Sequence, residues 1–77
     1  MRVKIFPPLG CDRSALDEKS WAEMPEGSTV GDVLKLIKCN PVKAKLLLVS
    51  VNGERARLGK ELHDGDVVGF FSLVTGG

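Results

Sequence analysis

Val30, Val33, Leu34 and Ile37 recur at i, i+3, i+4 and i+7, the spacing that lines one face of an α-helix. A stripe this short has to be covered by something else in the chain. Thr29 precedes the stripe as a plausible N-cap, with Asp32 three residues on to complete a capping box in its Asp variant. Asn40-Pro41 is a stop, so the pattern predicts one helix of about ten residues. Lys35 and Lys38 lie off the stripe, and Lys38 near the C-terminal end suits the helix dipole.

The flanking segments supply the cover, because they read as strands. Residues 2–6, RVKIF, alternate with Val3 and Ile5 on one face, and Pro7-Pro8 end the run. Residues 9–19 are mixed, with a short helical turn expected around Ser14 to Glu18. Ser20 to Met24 alternates again up to Pro25 and Gly27. Leu46 to Val51 is nearly all apolar, as in a strand buried on both faces. Asn52-Gly53 predicts a type I′ hairpin, whose two central residues both need positive φ. Glu54 to Leu58 returns as a more exposed strand, Asp64-Gly65 turns, and Val67 to Phe71 is a last apolar strand. The two most apolar strands belong at the middle of the sheet or against the helix. Two hairpins joined by one helix predict an α+β fold of the β-grasp (ubiquitin-like) type, a mixed sheet of about five strands with one main helix packed across it. Residues 1–77 read as a single domain with a flexible tail from about residue 72 to 77.

A chain of 77 residues can build one core, but rarely also an enclosed catalytic pocket of about 300 Å³. A binding or carrier module is therefore expected rather than an enzyme, with no catalytic residues of its own. Eleven basic against 10 acidic residues, with no basic run, argue against a nucleic-acid binder. No stretch approaches the roughly 20 apolar residues of a membrane span, and no secretory signal stands at the start, so a cytoplasmic protein is expected. Cys11 and Cys39 form no CxxC and the one histidine, His63, is remote in sequence, so they read as reduced thiols without a metal. His63, Asp64 and Asp66 crowd a turn that turn geometry alone explains. Trp21 is expected to cover the edge of the core. Glu54, Arg55 and Arg57 read as the solvated face of the hairpin, and Lys43 and Lys45 as surface.

The end of the chain, Phe70-Phe71-Ser72-Leu73-Val74-Thr75-Gly76-Gly77, carries the chemistry. Two glycines without Cβ can thread a narrow channel and present a terminal carboxylate to a nucleotide. Attack of that carboxylate on the α-phosphate of ATP gives an acyl-adenylate, which a sulfur or nitrogen nucleophile can displace. No GxxxxGK[ST] loop occurs, so the ATP site has to come from another protein. Successive strand residues face opposite ways, so of Phe70 and Phe71 one is expected in the core and the other on an apolar docking patch.

The whole chain resembles the ubiquitin-like sulfur carriers, the family of the molybdopterin synthase small subunit and the thiamine-biosynthesis sulfur carrier. The resemblance rests on the VKIF strand, the Thr29-initiated helix, Val49-Ser50-Val51-Asn52-Gly53-Glu54, Leu62-His63-Asp64-Gly65-Asp66-Val67, and Phe70-Phe71 leading to Val74-Thr75-Gly76-Gly77. It implies a carrier that binds no cofactor. An E1-like adenylating enzyme, using ATP and a sulfur donor, would activate Gly77 and convert it to a thiocarboxylate. A sulfur-accepting synthase would then take the sulfur. Gly76, Thr75, Val74 and Leu73 would be the tail gripped in the partner's active site.

Ser72 and Leu73 stand where the molybdopterin-type tail has two prolines, and so resemble the thiamine type. The length and the Phe70-Phe71 pair are more similar to the molybdopterin type. The expectation is the small subunit of molybdopterin synthase, with the thiamine thiazole carrier as the alternative. Carriers for tungsten cofactor, cysteine or tRNA sulfur stay open. So do a protein modifier joined through its terminal glycine and a β-grasp interaction domain that is never activated.

Overall fold

Alternation decides which side of each strand meets the helix. In the computed structural model, which describes residues 1–8, 10–40, 42 and 46–72, β1 (Arg2–Phe6) turns Val3 and Ile5 into the core and leaves Arg2 and Phe6 exposed. The chain continues through β2 (Trp21–Glu23), α1 (Val30–Leu36), β3 (Leu47–Val51), β4 (Glu54–Ala56) and β5 (Val67–Ser72). The sheet order is β2-β1-β5-β3-β4, parallel between β1 and β5 and antiparallel at every other pairing. This is the β-grasp fold, with the apolar strand β5 at its centre and the apolar strand β3 beside it. No helix among the described residues is long and apolar enough to cross a membrane.

The helix stripe is buried as its spacing predicts. Val30, Val33, Leu34 and Ile37 pack with Val49, Val51, Leu62, Val68 and Phe70. Thr29 and Asp32 form the capping box, with the Asp32 N–H donating to Thr29 Oγ1 and the Thr29 N–H donating to Asp32 Oδ2 at 2.9 Å. The helix is shorter than expected, at 7 residues. It ends before Asn40-Pro41, because Lys38 adopts φ 52° while the Lys38 N–H donates to the Lys35 carbonyl and the Cys39 N–H to the Leu34 carbonyl. That pair of bonds is a Schellman ending built on a lysine instead of the usual glycine.

Three other expectations are corrected. Residues 14–18 form no helix, since the Asp12 and Asp17 carboxylates capture the backbone N–H groups of Ser14 and of Lys19 and Trp21 and fold the segment into turns. β3 is buried on one face only, with Val49 and Val51 inward and Leu48 and Ser50 half-exposed. β4 stops at Ala56 instead of reaching Leu58. The Leu58 carbonyl accepts from the Gly31 N–H at 2.9 Å and the Lys60 carbonyl from the Val30 N–H at 3.0 Å. The chain leaves the sheet to satisfy donors that the first turn of a helix cannot satisfy itself.

At the hairpin tip Asn52 and Gly53 have φ 54° and 82°, as a type I′ turn requires. Asn52 also ties the tip to the start of β5. Its Nδ2 donates to Asp66 Oδ1 at 2.9 Å, and its Oδ1 accepts from the Val67 N–H at 3.0 Å.

Candidate functional site

The helix covers one face of the sheet, and among the described residues no helix or strand covers the other. Phe70 and Phe71 divide between them. Phe70 is 8% exposed and packs with the helix, whereas Phe71 is 59% exposed on the open face. Phe70 is therefore a core residue and not part of a docking surface.

Around Phe71 the register brings together residues far apart in sequence. Leu48 lies opposite it on β3, and Phe6 on β1 lies opposite Gly69. The Phe71 ring leans back over Gly69, where a Cβ would meet ring atoms at 3.5 Å and Ser50 Oγ at 3.1 Å. Glycine thus lets the ring lie along the sheet towards Phe6, itself 51% exposed. Exposed aromatics on one face of neighbouring strands are what a partner surface can bury.

Cations border these rings on the β2 side. Lys4 Nζ lies 5.5 Å from the Phe6 ring centroid and 5.8 Å from that of Trp21, and the Arg2 guanidinium lies 5.2 Å from the Trp21 ring. Trp21 was expected over the core edge. It sits instead on the open face, because Ala22 is the β2 residue that turns inward. Asp17 anchors this border, accepting from the Trp21 and Lys19 N–H groups and from Arg2 at 3.0 Å. Those bonds, the one from the Trp21 N–H foremost, hold its carboxyl below the ordinary range. Phe6 and Leu48 were not singled out from the sequence as site residues. The signal for Phe6 was the RVKIF alternation, which puts it on the face opposite Val3 and Ile5.

The tail leaves from the same neighbourhood. β5 ends at Ser72, paired with Leu47 at the start of β3. Leu73, Val74, Thr75, Gly76 and Gly77 lie outside the described residues.

The turn holding His63, Asp64 and Asp66 is a structural lock. The Asp64 carboxylate accepts from the Arg2 N–H at 2.8 Å, and Asp66 Oδ2 accepts from the His63 N–H at 2.8 Å. Burial pushes the Asp66 carboxyl up. Hydrogen bonds from Asn52 and His63, with the nearby His63 and Lys60 charges, outweigh it and bring the net shift below the ordinary range. No cluster of three or more metal-ligating side chains occurs among the described residues.

Comparison with known proteins agrees with this architecture. SAMP1 from Haloferax volcanii is similar in structure, with a TM-score of 0.59 at 26% identity, covering 99% of this chain and 97% of that one. A putative molybdopterin converting factor, subunit 1, from Pyrococcus furiosus aligns with a TM-score of 0.61 at 31% identity, covering 95% of each chain. No curated protein sequence gives a significant match. A model of the ThiS family matches residues 12–77, and the chain belongs to that family of ubiquitin-like sulfur carriers.

Proposed function

We propose that this carrier works through the carboxylate of Gly77, in the cytoplasm, as the small subunit of a molybdopterin synthase. An E1-like enzyme joins the carboxylate to the α-phosphate of ATP and releases pyrophosphate. A protein persulfide supplied by the sulfur donor then displaces AMP to give an acyl disulfide, and a thiol cleaves its S–S bond, releasing the thiocarboxylate and leaving a disulfide on the donor side. Gly76, Thr75, Val74 and Leu73 carry that group into the synthase, where the sulfur passes to the substrate and water hydrolyses the acyl–sulfur bond to return the carboxylate. ATP and the sulfur donor belong to the partners, and the carrier holds no cofactor.

The observation that supports this pathway most is the 31% identity, over 95% of both chains, to a protein described as a putative molybdopterin converting factor subunit. The open face supplies the docking surface. Phe71, Phe6 and Leu48 suit an apolar patch on the activating enzyme and on the synthase large subunit, and Arg2 and Lys4 favour acidic residues beside it. The polar and aliphatic pair Ser72-Leu73 favours a second reading, delivery to a thiazole synthase.

The test adds one alanine after Gly77. The extended chain is expected to fold as before and to lose sulfur transfer, because its terminal carboxylate no longer sits on a glycine that fits the channel. Full transfer by the extended chain would rule out Gly77 as the activated residue. Supplying purified molybdopterin synthase large subunit and thiazole synthase in turn separates the two pathways.

A further inference from the structure

The short β4 leaves part of its neighbour uncovered. In a hairpin with a two-residue loop the residues flanking the turn, Val51 and Glu54, form a hydrogen-bonded pair, and the bonding alternates from there. Val51, Val49 and Leu47 therefore turn their N–H and C=O groups towards β4. Glu54 and Ala56 answer the first two. Residue 58 would answer Leu47, but the Leu58 carbonyl is bonded to Gly31 instead. Among the described residues no strand pairs with Leu47 on that side.

A groove lies beside this unpaired edge, lined by Leu47, Leu48, Leu58, Ala56, Arg55 and Arg57. Leu58 is 49% exposed there. Neither arginine has an ion-pair partner among the described residues. Three features coincide among the described residues: a main-chain donor and acceptor with no strand opposite, an apolar wall, and two positive charges without an ion-pair partner. Each constrains the occupant, since the edge asks for extended backbone, Leu58 and Ala56 for aliphatic side chains, and the arginines for carboxylates.

We propose that this groove binds an extended segment of a partner protein in which aliphatic and acidic residues alternate, added as a short strand beside β3. The segment's backbone exchanges hydrogen bonds with Leu47, its aliphatic residues meet Leu58 and Ala56, and its carboxylates meet Arg55 and Arg57. The site stands apart from the tail chemistry and does not depend on Gly77 being activated.

The test titrates the ¹⁵N-labelled chain with the peptide acetyl-Asp-Val-Asp-Val-Asp-Val-Asp-amide and follows the backbone amide resonances. Saturable shifts are expected at Leu47 and Leu58, with slower hydrogen exchange at the Leu47 N–H. The double variant Arg55→Ala/Arg57→Ala should bind about tenfold more weakly, the loss expected from two partly exposed charge pairs. The same peptide with lysine at every aspartate should leave these amides unmoved. The proposal is overturned if the acidic peptide shifts neither Leu47 nor Leu58, moves only the face of Phe6, Leu48 and Phe71, or binds the double variant as tightly as the parent. Both arginines are exposed, and an unchanged amide spectrum of the free variant checks its fold.

Discussion

Lys38 occupies a backbone conformation that disfavours every residue with a Cβ, by about 1–2 kcal/mol in the left-handed region. Its ion pair with Asp12, at 3.4 Å, joins a lysine that is largely exposed and returns little. Lys38→Gly is therefore expected to raise stability, by roughly 0.5–1 kcal/mol in urea denaturation once the greater chain entropy of glycine is subtracted. Phe70 and Phe71 make the opposite contrast at neighbouring positions. Phe70→Ala empties part of the core and should destabilise by about 3 kcal/mol or more. Phe71→Ala should change stability by less than about 1 kcal/mol while weakening binding to the activating enzyme. Equal losses of stability in the two variants would contradict the assignment of inner and outer faces. The carboxylates of Asp12, Asp17, Asp32 and Asp66 all titrate below their ordinary value, each held by backbone or side-chain donors. A depressed folded-state pKa stabilises above the unfolded value, and that stability is lost as pH falls through the folded values. The urea midpoint should therefore stay level from neutral pH to about 5 and fall below about 4.

At the scale of elements, the capping box is the clearest test of how local sequence sets local structure. Thr29→Ala removes the side-chain acceptor of the Asp32 N–H and should cost about 1 kcal/mol, measured as a lower thermal midpoint. The helix start, its buried stripe and the Asn52-Gly53 turn were all legible in the chain. Each is specified by residues within a few positions of one another. Where the expectation for β4 missed, the deciding partner was distant. β4 ends early because Leu58 and Lys60 serve the helix N-terminus, and nothing in the Glu54 to Leu58 alternation records that demand. The helix ends early on Lys38, a residue type that seldom announces a left-handed position. Leu46 to Val51 looked buried on both faces because an apolar run cannot say that one side of the sheet lacks a covering layer. The same gap hid the company that Phe71 keeps on the exposed face, because Phe6, Leu48 and Phe71 become neighbours only through the β1-β5-β3 register.

For the molecule as a whole, the fold divides labour between two surfaces of one sheet. The helix side supplies the stability, and the open side presents the aromatics from whose central strand residues 73–77 continue. A carrier built this way can spend its outer face on successive partners without disturbing its core. The proposed function requires that Gly77 be the group those partners act on. It is tested most directly by the intact mass of the chain after incubation with ATP, a sulfur donor and the E1-like enzyme of the same organism, followed by fragmentation to locate the change. The expected result is a gain equal to replacing one oxygen by sulfur, confined to Gly77. An unchanged mass, with the enzyme shown to be active on another carrier, would contradict it.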